Sequence, residues 1–398
     1  MNDGHARRGE LPRDEGAPIS RRRFVELAAA GAAAGTLGML GGCAVPNAGA
    51  AGEPEGSEQP PAGEAAAPQA EQAPQTPAAA QPAEGVRYDV VGSHLHYVDF
   101  LQQTDGYEAL TLAMDACGVS QAVIFGMAMA KQWDEDADKA PSYYLSNDSR
   151  CYYYSGTDFL TIEDLLAQPP EVRGRFFPFI CGINPNDRFA ADHIRQLLRI
   201  YPDTFAGIGE LMSRHDDLTA LTYGEPPHLD HPAFLEIFDL GAEQGLPVLV
   251  HHNITAASTP EVLYLDELKA ALAHNRDCKL IWAHIGISRR VEVPHLASIA
   301  DELLSQNENL WIDISWIVYN YYFLEENPDG FKDGDTMDDW AALMEKWPDR
   351  FMVGTDKVGH WGTYPEEVTK YYALLDKLSP ETAQKLCHDN ILGLVKRY

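Results

Sequence analysis

From residue 87 onward the apolar residues of this chain come in short continuous runs, each closed by a polar or glycine-bearing segment. The runs are RYDVVGSHLH (87–96), QAVIFG (121–126), FFPFICGIN (176–184), FAGIGEL (205–211), PVLVHH (247–252), KLIWAH (279–284), LWIDIS (310–315) and FMVGTD (351–356). They are near-continuous rather than alternating, which suits strands buried on both faces of a parallel sheet. Between them, apolar residues recur at three- and four-residue spacing and predict helices over 106–116, 190–200, 232–243, 261–274, 295–305 and 365–378. Eight strands alternating with helices predict a single-domain α/β fold, the (β/α)8 TIM barrel; an open doubly wound sheet gives a similar pattern. The longest interruption, 127–168, contains Tyr143, Tyr144, Tyr152, Tyr153 and Tyr154 and reads as a substrate-side loop.

The first 85 residues follow a different pattern. SRRRFVE (20–26) precedes an Ala/Gly/Leu run (27–40), a charged segment followed by a short apolar one, as in a signal peptide. Arg21 and Arg22 with Phe24 resemble the twin-arginine export signal. The apolar run is short and rich in Gly and Ala, against the roughly 20 strongly apolar residues that a transmembrane helix needs. Leu40-Gly41-Gly42-Cys43 resembles a bacterial lipobox, in which Cys43 would be acylated. Residues 44–85 are almost all Ala, Pro, Glu, Gln and Gly, too apolar-poor to offset chain entropy, and read as a disordered tether. The expected organisation is a signal over 1–43, a tether over 44–85 and a barrel over 86–398. The product would be exported and held by its lipid alone at the outer face of the bacterial cell membrane or in the periplasm.

Sixty acidic against 30 basic side chains give a formal net charge of −30, which argues against a nucleic-acid backbone as partner. Without Cys43, five cysteines remain (Cys117, Cys151, Cys181, Cys278, Cys387), an odd number lacking any CxxC spacing. They read as small core residues rather than as a disulfide framework or a cysteine-rich zinc site. Self-association into a homodimer stays open.

Barrel enzymes carry their chemistry at the carboxyl ends of the strands. Here the first strand ends in His94-Leu95-His96, the fifth in His251-His252, the sixth in His284 and the eighth in Asp356, while the fourth ends near Glu210. These residue types bind divalent metals. Residues two apart on a strand share a face, so His94 and His96 converge, and only one of His251 and His252 faces the axis. His251, which directly follows the apolar run, is favoured. His5, His193, His215, His228, His231, His274, His295, His360 and His388 lie off the strand ends and read as ordinary hydrogen-bonded histidines.

HxH after strand one, His after strands five and six, and Asp after strand eight resemble the pattern of the amidohydrolase superfamily. The segments YDVVGSHLH, LPVLVHHN, LIWAHIG, FMVGTD and CHDNILGLV are similar to the branch that includes aminocarboxymuconate-semialdehyde decarboxylase. The resemblance implies one divalent metal, zinc or else manganese or iron, on His94, His96, His251 and Asp356. It also implies His284 as general acid or base and Asp356 as the base that takes a proton from water. No lysine ends the fourth strand; Glu210 there resembles the bridging ligand of two-metal hydrolases, or else orients a histidine. Tyr97, Asn184, Arg214, Arg289, Arg290, Trp316 and Trp361 follow strands closely enough to line the mouth and contact substrate. The expected activity is hydrolysis of a small ester, lactone or amide. Its rivals are non-oxidative decarboxylation of an aromatic or unsaturated acid and non-catalytic capture of a solute.

Overall fold

Each apolar run becomes a strand that pairs in parallel with its neighbour in sequence, and a computed structural model of the chain shows them in one eight-stranded sheet. The structure describes residues 85–132, 149–216, 218–288, 290–316, 318–319 and 335–397. The expected signal, Cys43, the tether up to residue 84, Tyr143, Tyr144 and Arg289 lie outside the described residues.

The strands are β1 (Val90–Gly92), β2 (Val119–Ile124), β3 (Phe176–Ile180), β4 (Gly207–Met212), β5 (Val248–His251), β6 (Leu280–Ala283), β7 (Leu310–Asp313) and β8 (Phe351–Met352). The helices that follow them in turn are α1 (Gly106–Cys117), α2 (Gly156–Ala167), α3 (Ala190–Ile200), α4 (Pro232–Gln244), α5 (Leu265–His274), α6 (Leu296–Gln306), α7 (Met337–Lys346) and α8 (Tyr364–Thr369). The sheet closes on itself. Ser93 N–H donates to Val353 O at 2.9 Å, and beyond that contact Leu95 and His96 pair in parallel with Lys357 and Val358. The chain therefore folds as a (β/α)8 TIM barrel.

Local chemistry explains the helix ends. On α4, His231 accepts the N–H of Ala233, Pro232 fills the first helical position, and Gly245 takes the left-handed conformation just past the end. Thr336 and Asp339 form a reciprocal capping box at the start of α7. Each helix buries its apolar stripe on the barrel, as Phe234, Ile237 and Phe238 do on α4 and Trp340 on α7. Each such large side chain contributes about 1.5–3 kcal/mol by leaving water.

Two expectations are corrected. The segment 127–168 is not one loop: it holds an antiparallel pair, Met129–Lys131 with Cys151–Tyr153, and then α2. The inner face of α2 buries Thr157, Asp158 and Thr161 beside Ile162 and Leu165, so polar residues mask its apolar period. The helix expected over 365–378 is two short ones, Tyr364–Thr369 and Tyr372–Leu375. The five cysteines of the described residues are buried and unbridged.

Candidate metal centre

Side chains from five strand ends meet on the barrel axis. His94 and His96 arrive from the segment after β1, Glu210 from β4, His251 from β5, His284 from the end of β6 and Asp356 from the segment after β8. Gly209 has φ +128°, and a Cβ there would stand 2.3 Å from Leu249 O, so only glycine lets the backbone deliver Glu210 here. His284 (φ 57°), Trp316 (φ 61°) and Asp356 (φ 56°) all occupy the left-handed region. That conformation costs a non-glycine residue roughly 1–2 kcal/mol and is retained where the surrounding structure demands it.

Glu210 sits at the centre, and its two oxygens face different partners. Oε2 lies 3.3 Å from His96 Nε2 and 3.7 Å from His94 Nε2. Oε1 lies 3.2 Å from His251 Nδ1 and 3.1 Å from His284 Nε2. Asp356 Oδ1 stands 3.3 Å from His94 Nε2 and 3.1 Å from His96 Nε2, and Oδ2 is 3.9 Å from His284 Nε2.

The outer nitrogen of each ring is already committed. His94 Nδ1–H donates to Asp313 Oδ2 at 2.8 Å, and His96 Nδ1–H to the Gly126 carbonyl at 2.8 Å. His251 Nε2–H donates to Asn253 Oδ1 at 2.8 Å, and His284 Nδ1–H to Ser315 Oγ at 2.8 Å. With its proton on the outer nitrogen, each neutral ring turns a lone pair inward, toward carboxylate oxygens that are acceptors as well. Acceptor facing acceptor in a buried space is stable only with cations between them, whether protons or a metal. His94 Nε2 is buried and lacks a hydrogen-bond partner. Ligand atoms of His94, Glu210, His284 and Asp356 all lie within 4.8 Å of one another, and the donor set of imidazoles and carboxylates suits a divalent ion.

The electrostatics agree. Burial opposes charging His94, but Glu210 and Asp313 outweigh it and hold the ring well above the usual histidine range. Burial opposes charging His96 too, and Asp356 and Glu210 raise it to about 9. Glu210 and Asp356 are pushed up by burial and, more strongly, down by the histidines, His94 prominent for both, to values well below the carboxylate range. The cluster thus favours positive charge at its centre.

Above it opens a cleft of about 400 Å³, its mouth included, lined by Phe100, Met127, Met212, Leu218, Trp316 and Val358 together with His96, Glu210, His215, His251, His284 and Asp356. His215, read from sequence as an ordinary histidine, belongs to this wall and stacks on His251 at 4.4 Å. Its Nδ1 accepts the N–H of Leu218 at 3.1 Å, and burial together with His251 keeps the ring neutral.

Sequence reasoning placed His284 beside the metal and Glu210 at its margin; the geometry groups both with His94 and Asp356, while His251 faces Glu210 Oε1 at 3.2 Å. His252 turns away, to Ser213 Oγ and Tyr264 O. Of the expected substrate contacts, Trp316 lines the cleft. Tyr97 does not: the next position on the strand points outward, where it stacks on Tyr107 at 4.2 Å and donates to Asp164. Arg214 is bound to Glu267 at 2.5 Å and lies over the Tyr264 ring. Asn184 is an exposed turn residue accepting from Asn186 N, and Arg290 is exposed. Trp361 is buried, with its indole N–H on Gly106 O. Asp313, Ser315 and Asn253, which orient the histidines, were not singled out in the sequence. Strand parity was the available signal, since 313 and 315 share a face. A second grouping, His228, Asp230 and Glu267, lies toward the surface with Glu267 already engaged by Arg214.

No family model matches the chain, and no curated protein matches it. Among solved structures, it is similar to a probable 2-pyrone-4,6-dicarboxylic acid hydrolase from Acinetobacter baumannii (12% identity, 77% of this chain and 99% of that one, TM-score 0.47). It is also similar to a dihydroorotase from Campylobacter jejuni (15%, 77% and 82%, TM-score 0.44). A third is a 2,6-dihydroxybenzoate decarboxylase from Rhizobium (13%, 77% and 98%, TM-score 0.44). At this level of similarity they bear on neither reaction nor metal.

Proposed function

We propose that the chain is a metal-dependent hydrolase of a small, uncharged ester, lactone or amide. The observation that carries the reading is the set of four buried imidazoles, each locked from outside with its lone pair turned toward Glu210 and Asp356. His94, His96, His251, His284, Glu210 and Asp356 would hold the metal. When bound, a divalent cation supplies Lewis acidity to a carbonyl oxygen and lowers the pKa of water from about 15.7 to about 7. Glu210 divides its oxygens between the His94/His96 side and the His251/His284 side, so it would be the residue to serve a second cation if one binds.

The protein's own groups then have distinct tasks. Asp356 Oδ1 is held by His94 and His96, which leaves Oδ2, on a side chain 15% exposed, to take a proton from the attacking water. The protonated Oδ2 would pass that proton on to the leaving group; His284 Nε2 lies 3.9 Å from it, beyond hydrogen-bond reach, and would serve the metal instead. Trp316, Met127, Met212 and Leu218 exclude water and hold the apolar part of the substrate. The described wall beside the cluster is built from Phe100, Met127, Met212, Leu218, Trp316 and Val358, apolar groups that suit an uncharged substrate.

The test uses the full-length chain: elemental analysis, then turnover of a panel of small esters, lactones and amides beside aromatic and unsaturated acids assayed for carbon dioxide release. Bound metal with cleavage of uncharged substrates is the expected result. Carbon dioxide release without ester, lactone or amide cleavage would overturn hydrolysis in favour of decarboxylation, and bound metal without turnover of either class would indicate solute capture.

A further inference from the structure

Asp313, at the end of β7, touches none of the cleft residues' inward atoms, yet it is fully buried and makes more polar contacts than any one histidine of the cluster. Its Oδ1 accepts Ser93 O–H at 2.8 Å and Ser315 N–H at 3.2 Å. Its Oδ2 accepts His94 Nδ1–H at 2.8 Å and Ser315 O–H at 2.6 Å. Because that serine proton goes to Asp313, Ser315 Oγ must accept from His284 Nδ1–H, at 2.8 Å. One carboxylate therefore sets the proton position on two rings, His94 directly and His284 through a hydroxyl. Gly354 closes the remaining side: a Cβ there would lie 2.7 Å from Ser93 Oγ, 2.7 Å from His94 Cβ and 3.0 Å from Asp313 Oδ1.

We propose that Asp313 is the shared positioning residue of the centre, fixing the tautomers of His94 and His284 together, with Ser315 as the relay. The proposal rests on the metal-centre reading above and adds to it a group outside the ligand set. Its chemistry is specific to a carboxylate. An asparagine offers one acceptor oxygen and one donor nitrogen, so whichever side carries the nitrogen loses two of the four bonds. The ring that loses its outer acceptor no longer keeps its proton there, and its inward lone pair is no longer fixed.

Two readouts on the full-length chain test this. In metal-stripped protein, the imidazole 15N signals report the tautomers: Asp313→Asn is expected to move both His94 and His284, Ser315→Ala to move His284 chiefly, and Ser315→Thr, which keeps the hydroxyl, to restore it. Titration with Zn²⁺ is expected to show weakening of about 10–100-fold for Asp313→Asn, a smaller loss for Ser315→Ala and recovery for Ser315→Thr. Unmoved 15N signals in folded Asp313→Ala, which removes both acceptor oxygens whichever way an asparagine amide would turn, would overturn the proposal, as would equal impairment by Ser315→Ala and Ser315→Thr. Should the Asp313 variants fail to fold, the serine pair decides. If the unsubstituted chain binds no Zn²⁺, the metal-centre reading fails while the 15N comparison still judges the anchor.

Discussion

The two rims of this barrel use carboxylates in opposite ways. At the amino-terminal ends of the strands, Arg87 meets Asp376 at 2.6 Å and Arg175 meets Asp115 at 2.7 Å, on side chains 49% and 46% exposed in the first pair and 22% and 48% in the second. At the carboxyl ends, Glu210, Asp313, His94 and His96 are at most 2% exposed, and Glu210 and Asp313 are each surrounded by several partners. Solvent screens the first group, and such exposed pairs add little to stability. The second group is withdrawn from water at a penalty of several kcal/mol per ion, which stability alone does not require. Burial, not residue type, separates a surface from a site.

The comparison breaks most sharply at Glu210. Glu210→Ala should abolish metal binding and lower the unfolding free energy of the metal-free chain by about 3–5 kcal/mol, because His94 and His96, both raised by Glu210, lose a buried counter-charge. Elemental analysis and urea unfolding would show it, and unchanged values for both would remove Glu210 from the centre.

A pH series sharpens the contrast. In the metal-free chain, His96 is raised from its ordinary value near 6.5 to about 9. Its contribution to stability is fully present below about 6.5 and is lost as pH rises toward 9. Metal must displace that proton, so metal affinity should run the other way and increase over the same interval. Melting curves of chelator-treated protein and metal titrations at matched pH would test both slopes; parallel slopes would contradict the shared site.

Smaller effects follow at the cleft and the far rim. Trp316→Ala removes about 1.5–3 kcal/mol of apolar contact and should raise KM for the validated substrate roughly tenfold or more with kcat little changed. A fall confined to kcat would place Trp316 in the chemistry instead. Arg87→Ala should leave metal content and turnover where they were, since its partner Asp376 is exposed at the opposite rim; a change in either would tie the two rims together.

Much of the framework was legible because it depends on continuous apolar runs: each of the eight runs overlaps a barrel strand, though β2 begins before its run, at Val119, and β4 ends after its run, at Met212. The histidines and carboxylates at strand ends were legible for the same reason, since the fold fixes which end carries chemistry. What stayed hidden depends on side-chain direction and on partners distant in sequence. Tyr97 and Trp361 sit close to strand ends but point into packing, while His215 lies beyond a strand end and returns to the cleft. Asp313 shows in sequence only as one acidic residue in an apolar strand; its meaning comes from Ser93, His94 and Ser315 meeting it in space. Helix α2 escaped because its buried face is partly polar.

Closure of the sheet between β1 and β8 has a consequence for how the molecule is made. His94 and His96 come from the first strand and Asp356 from the last, so the binding set does not exist until the final strand has docked. A nascent chain still short of β8 presents at most a partial set, and a cation held by the full set would bind the finished barrel in preference to every earlier form. A ligand that binds only the native state at a hundred times its Kd adds about 2.7 kcal/mol to stability. Loading of this centre would thus act as a seal on completed folding, applied at the seam where the two ends of the barrel meet.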